Sequence, residues 1–330
     1  MTAMVGRTRV NRAARSAVVV NPSKVANLAE LRQVVDGTLR RAGWPAARWF
    51  QTTPEDSGRG QARQAIDGGA EVVFVCGGDG TVMSVVSALA GTDAALAVLP
   101  AGTGNLLAAN LGLSSGLPAA LQVALEGGVR RLDVGTADGQ CFVVMAGMGF
   151  DAHMLAATSD TAKARLGWPA YVLGAVRHLR DRPMRVSIRI DDGEPMRRRA
   201  RSVLIANVGR LQGGVRLVVE AQPDDGLLDI AVLMPHSLRH WAALAWALIR
   251  RSGRVPSLEV FRGGRVEVLS DRPHPRQLDG DLIDSGRRLL VEVAPKALWL
   301  CLPQPAGHPD LAEDAEAAAQ RAARLIDKAA

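Results

Sequence analysis

The chain has 330 residues, 48% hydrophobic and 22% charged, which is enough for two domains with a core in each and excludes a disordered or fibrous protein. A net charge of +7 suits an anionic partner. Aromatic residues are only 4% and the arginines are scattered, so a membrane surface fits that charge better than nucleic acid does.

Residues 1–15 are polar and arginine-rich, and the apolar segment 17–20 is too short for the core of a signal peptide. No apolar run approaches the roughly 18 residues of a membrane-spanning helix. The expected location is cytoplasmic, with peripheral contact to the inner face of the membrane. Residues 16–20 predict a strand that ends at Asn21-Pro22-Ser23. A helix over 28–41 follows and is stopped by Gly43 and Pro45. A second strand, 48–51, runs into Thr52-Thr53-Pro54, and a second helix spans 60–66.

The segment 72–105 carries the strongest signal. An apolar strand, 72–76, ends in Gly77-Gly78-Asp79-Gly80-Thr81, and a helical pattern follows over 82–89. A second apolar strand, 95–99, leads into Pro100-Ala101-Gly102-Thr103-Gly104-Asn105. Glycines at strand ends let backbone N–H groups approach an anion, and a helix N-terminus adds favourable partial charge. A nucleotide polyphosphate is the natural guest at the carboxyl end of a parallel sheet. Ordinary tight turns would need no acid at Asp79. Helical segments at 106–111 and 117–125 continue the alternation, which predicts a doubly wound α/β domain over 16–133.

Beyond 133 strand patterns dominate, at 141–145, 185–190, 201–207, 229–233, 258–261, 265–269, 289–293 and 298–302. They predict an antiparallel β-sandwich domain over 134–303. Two apolar helices, 161–180 and 238–251, interrupt it, and either core packing or an interfacial surface accounts for them. The run Arg197-Arg198-Arg199 reads as a solvated strand edge or as a membrane-facing patch. Residues 1–15 and 304–330 are read as flexible or helical tails. The three cysteines, Cys76, Cys141 and Cys301, are scattered, with no CxxC pair and no cysteine–histidine cluster, so neither a disulfide frame nor a zinc site is expected.

Two acidic motifs lie in the second half. Gln222-Pro223-Asp224-Asp225-Gly226-Leu227 reads as a hairpin turn, or as an oxygen-rich turn suited to Mg²⁺. Leu278-Asp279-Gly280-Asp281 reads, by its residues, as a turn. There is no G-x-x-x-x-G-K-[ST], and none of the four lysines lies in the glycine-rich loops.

GGDGT at 77–81 followed by PAGTGN at 100–105 resembles the diacylglycerol kinase catalytic superfamily, which includes sphingosine kinases and bacterial lipid kinases. The resemblance covers roughly 16–303. It implies ATP at Asn21, Thr52, Gly77, Gly78, Asp79, Gly80, Thr81, Gly102, Thr103 and Asn105. It implies a structural Mg²⁺ held by the Asp225 carboxylate and by the Gln222 and Leu227 carbonyls. It also implies Asp279 as general base. The chain departs from the family pattern at three places: Lys24 without a nearby glycine after Asn21, Leu106 where many diacylglycerol kinases carry aspartate, and Asp281 in place of glutamate.

The expected activity is transfer of the ATP γ-phosphate to the hydroxyl of diacylglycerol or a related lipid. An NAD kinase-like enzyme and a catalytically weak nucleotide- or lipid-binding regulator are the alternatives. The expected partners are a lipid substrate at the membrane surface and a second copy of the chain in a homodimer, with no nucleic acid.

Overall fold

A computed structural model describes residues 14–101, 107, 116–149, 182–208, 222–235 and 257–303. The expected helices at 161–180 and 238–251 and the tail from 304 lie outside these residues, and of the segment 106–111 only Leu107 is described. The chain divides into two compact units, the first running up to Val134 and the second starting at Gly135. The first unit also takes Pro223–Asp225 and residues 295–303, which the sequence reading places in the second domain.

The first unit is built on parallel strands β1 (Ser16–Val20), β2 (Arg48–Gln51), β3 (Val72–Gly77) and β4 (Ala95–Pro100). They lie in the order β4-β3-β1-β2, and the far end of β14 (Asp281–Leu302) pairs parallel to β4 through Trp299 and Leu300. Every residue of β1 and β3 is buried, as expected of central strands covered on both faces.

Helix α1 (Leu28–Arg41) starts where the Asn27 side chain accepts the Glu30 N–H at 3.1 Å. Its Leu31, Val35 and Leu39 recur at helical spacing and are buried with Val18, Phe74 and Leu99. Helix α4 (Leu117–Glu126) joins that core through Ala120, Leu121 and Ala124. Helices α2 (Arg59–Asp67) and α3 (Asp79–Leu89) pack on each other, and a Cβ on Gly58 would meet both Val85 of α3 and Val19 of β1, so they cover the opposite face. Helix α3 begins three residues earlier than the apolar pattern alone suggests, because Gly78 ends the strand segment and Asp79 opens the helix.

The second unit is antiparallel. Strands β7 (Met145–Gly149), β10 (Ser202–Ala206), β11 (Leu228–Leu233) and β12 (Leu258–Gly263) pair in that order. Strand β13 (Arg265–Leu278) pairs β8 (Met184–Ile190) with its first half and β7 with its last three residues. Its pairing with β14 is broken between Leu269 and Arg276, where Pro273 and Pro275 have no N–H to give. Strand β9 (Met196–Ala200) pairs β8, and β5 (Gly128–Ala137) pairs β6 (Gln140–Phe142) around the Asp138-Gly139 turn.

Two expectations about strands need correction. The strand expected at 141–145 is two strands, β6 and β7, because the N–H groups of Val143 and Val144 point at a side-chain carboxylate instead of a neighbouring strand. The strands expected at 289–293 and 298–302 are one strand, β14. The arginine run lies on a strand, β9, which pairs only β8 among the described residues.

Candidate active site

Strand ends bring part of the expected nucleotide set together in the first unit. The Asn21 N–H donates to the Cys76 carbonyl at 2.8 Å, tying the end of β1 to the end of β3. The Thr52 N–H donates to the Val20 carbonyl at 2.9 Å and brings in the end of β2. The Asn21 side chain accepts from the Ser23 N–H at 3.0 Å and donates through Nδ2 to Thr81 Oγ1 at 3.4 Å. Thr52 and Thr81 are both buried. Asn21, Thr52 and Gly77–Thr81 therefore form one cluster at the carboxyl end of the sheet.

The two leading glycines do different work. A Cβ on Gly77 would stand 2.6 Å from the Thr81 Cβ, so glycine is required for β3 to pack on the first turn of α3. A Cβ on Gly78 would meet nothing nearer than the Lys24 Cε at 3.9 Å, so the space over Gly78 is open. Gly78 is the N-cap of α3 and has no side chain to cap it. The first N–H groups of a helix lack intrahelical acceptors and attract anions. Asp79 is the first helical residue, where its charge also complements the helix dipole. That gives the acid a structural reason besides the nucleotide. Cys76 beneath the loop is an inert thiol, its pKa pushed up to about 11 by burial. Gly102, Thr103 and Asn105 lie outside the described residues.

Lys24 is the residue that sequence reasoning passes over. It lies 54 positions before Gly78 in the chain, but the 3₁₀ turn Pro22–Lys24 carries it to the glycine loop. The Asn-Pro turn itself is the only sequence signal for it.

In the second unit Asp279 and Gly280 form the two-residue loop between β13 and β14, with φ of 48° and 94°. Both values are positive, as a type I′ hairpin demands. The Asp279 carboxylate is buried. It accepts the N–H of Val143 at 2.8 Å, of Val144 at 2.8 Å and of Met145 at 2.7 Å. Its own N–H donates to the Met145 carbonyl at 2.8 Å. Such donors favour the ionised carboxylate.

Asn207, which the sequence reading assigns no role, holds the same segment from the other side. Its Nδ2 donates to the Val143 carbonyl and its N–H to the Val144 carbonyl, both at 2.9 Å. Asp281 is exposed and pairs with Leu278 across the turn.

Of the expected metal ligands, Gln222, Asp225 and Leu227 are all half-buried. Beside this turn the Pro223 carbonyl accepts the Asp133 N–H at 2.6 Å, and the buried Asp133 carboxylate accepts the Lys296 N–H at 2.6 Å. Among the described residues no three His, Cys, Asp or Glu side chains cluster as a metal site. A carboxylate with main-chain carbonyls is an all-oxygen set of the kind Mg²⁺ takes.

Residues 15–137 match the family described as Diacylglycerol kinase catalytic domain, and residues 143–302 match the YegS C-terminal NAD kinase beta sandwich-like domain. A Chromohalobacter salexigens protein described as "Probable lipid kinase YegS-like" is 34% identical over 291 residues, 85% of this chain and 91% of the relative. The chain belongs to the YegS-like lipid kinase family.

A second YegS-like lipid kinase relative, from Pseudomonas aeruginosa, is 33% identical over 312 residues, 90% of this chain and 96% of its own. The fold is shared with a crystal structure of a diacylglycerol kinase from Bacillus anthracis str. Sterne, with a TM-score of 0.67 at 18% identity over 90% of this chain and 99% of that one. An NAD kinase from Archaeoglobus fulgidus in complex with ATP shares it more distantly, with a TM-score of 0.51 at 14% identity over 88% of this chain and 94% of that one. As a member of the YegS-like lipid kinase family the chain is a kinase, which implies use of ATP. Among the described residues no helix is long and apolar enough to cross a membrane.

Proposed function

We propose that this kinase transfers the γ-phosphate of ATP to the hydroxyl of diacylglycerol or a related lipid. The observation that carries the donor half is Gly78, an uncapped helix N-terminus with open space above it, beside Lys24, Asn21 and Thr81. The phosphates lie along Gly77–Thr81, with Lys24 as a positive charge against them, and Gly102, Thr103 and Asn105 complete the nucleotide site. Thr52 and Asn21 fix the strand ends that shape it. The Asp225 carboxylate with the carbonyls of Gln222 and Leu227 would hold Mg²⁺, which would supply positive charge and steady the turn.

Asp279 takes the acceptor hydroxyl. With a loose transition state little deprotonation is needed before attack, so an ionised, firmly held carboxylate that orients the hydroxyl and receives its proton late is sufficient. The new bond joins the lipid oxygen to the γ-phosphorus, the bond to the ADP oxygen breaks, and ADP leaves. The enzyme works in the cytoplasm, meeting its lipid at the inner face of the membrane.

The test is to incubate the purified chain with γ-labelled ATP, Mg²⁺, NAD and a total lipid extract and to identify the labelled product. A phosphorylated lipid is expected. Label on NAD instead, or no label on any lipid, would overturn the reading.

A further inference from the structure

Strands β9, β8 and the first half of β13, which β14 borders on its far side, form an antiparallel layer with two unlike faces. One face carries Met184, Val186, Ile188, Val266 and Val268, all buried. The other face is wet, and its registered rows are unusual. Arg185 stands directly opposite Arg199. In the next row Arg197 faces Ser187, and Ser187 faces Leu269. Arg185, Arg197 and Arg199 are exposed, and Leu269 is 44% exposed. These residues, with Asp271, line a shallow depression of about 500 Å³.

Like charges directly opposite on neighbouring strands destabilise a sheet. Here the Arg185 N–H donates to the Asp271 carboxylate at 3.3 Å, but none of the three guanidinium groups pairs with a carboxylate among the described residues, whereas Arg198, pointing the other way, pairs with Glu259 at 2.8 Å. Protection of an exposed edge would account for charge on β9. It does not account for Arg185, which lies on β8 with a strand on either side, nor for a leucine displayed among the arginines on β13. A face with unpaired guanidinium groups around an exposed leucine is complementary to phosphate groups over an apolar layer. Guanidinium forks match phosphate oxygens, and a leucine enters the acyl boundary. No aromatic side chain lies in these rows to stack on bases, as single-stranded nucleic acid sites require.

We infer that this face docks the enzyme on an anionic phospholipid surface, with Arg185, Arg197 and Arg199 on the headgroup phosphates and Leu269 at the acyl boundary. The inference rests on the lipid-kinase reading for its purpose, but its test does not need turnover. Full-length protein is sedimented with phosphatidylcholine vesicles made with and without phosphatidylglycerol, alongside the triple variant R185Q/R197Q/R199Q. Its fold is checked by its melting curve. Wild type should bind the anionic vesicles, and binding should weaken as salt rises. At roughly fivefold per basic side chain near an anionic surface, the triple variant should lose on the order of 100-fold in partitioning. The triple lysine variant should keep most of the binding, and Leu269→Ser should weaken it less than the loss of charge does.

Equal vesicle binding by wild type and the folded triple variant would overturn the inference. So would no binding by wild type, or binding to a single-stranded RNA in preference to the vesicles. Phosphorylation of a short-chain, monomeric diacylglycerol should be unchanged in the triple variant. A wild type that docks through these arginines but phosphorylates no lipid would sink the kinase reading alone.

Discussion

The Asp279 carboxylate accepts the Val144 N–H at 2.8 Å across 135 positions of chain. With the Val143 and Met145 N–H groups beside it, this one side chain organises the segment between β6 and β7. Asp279→Asn keeps one acceptor oxygen and turns an NH₂ toward a backbone donor. Stability should fall by roughly 1.5–3 kcal/mol, the value of a hydrogen bond to a charged group. Lipid phosphorylation should fall about 10²-fold or more while ATP affinity stays unchanged. Urea unfolding and kinetics on the same preparation check both. Full stability with lost turnover would leave Asp279 a purely chemical role. Asp281→Glu, at an exposed position, should be tolerated.

Gly77 and Gly78 should respond differently to the same added methyl group. Gly77→Ala places a Cβ 2.6 Å from the Thr81 Cβ and should destabilise the first unit by roughly 1–3 kcal/mol through overpacking. Gly78→Ala meets nothing nearer than 3.9 Å and should fold normally, yet bind ATP more weakly because the methyl occupies the space for phosphate. Thermal melts and nucleotide titration of the pair would separate the roles. Equal ATP binding by Gly78→Ala and wild type counts against phosphate at this loop.

Asp79 is the first residue of α3, next to Gly78. Asp79→Asn should cost only about 0.3–1 kcal/mol of stability, through the helix dipole. It should nevertheless abolish ATP-dependent labelling of lipid. Lys24→Ala should raise KM for ATP with little change in melting temperature, since Lys24 is exposed. Unaltered kinetics in both variants would remove the nucleotide from this end of the sheet.

If the Asp225 carboxylate holds Mg²⁺, the cation binds only the native state and stabilises it. Wild type should melt higher as Mg²⁺ is raised, and Asp225→Ala should lose that dependence together with part of its activity. Superimposable melts of the two proteins with and without Mg²⁺ would leave this segment a turn and nothing more.

Alkaline pH should weaken the first unit through its thiols. Burial pushes Cys76 up to about 11 and Cys301 up to about 12 from 9.0. A raised folded value means that the stability is intact below about pH 9 and is lost as pH rises toward the folded values. At about pH 10 the two together should remove about 2–3 kcal/mol. Urea unfolding near pH 8 and near pH 10 measures the slope. The double variant Cys76→Ala/Cys301→Ala should be flatter, and an unchanged slope would show that other groups carry it.

Local chemistry was enough for the leading elements of the first unit. Strands β1 and β2 and helix α1 follow from apolar runs, the Asn27 cap and the Gly43 stop, because each is decided by residues within one or two turns of chain. GGDGT could be read as a phosphate loop because it is followed by a second glycine-rich turn, PAGTGN, at the end of the next strand. Asp279-Gly280 is legible as a turn for the same local reason. What that turn holds is not legible. The donors at 143–145 lie far away in the chain, and nothing in residues 278–281 records them. The approach of Lys24 to Gly78 is likewise a product of the tertiary fold, and the placing of Arg185 opposite Arg199 is a product of strand register. Register is set by which faces are buried across a whole sheet, so it belongs to the tertiary structure and leaves no mark in any one stretch of sequence.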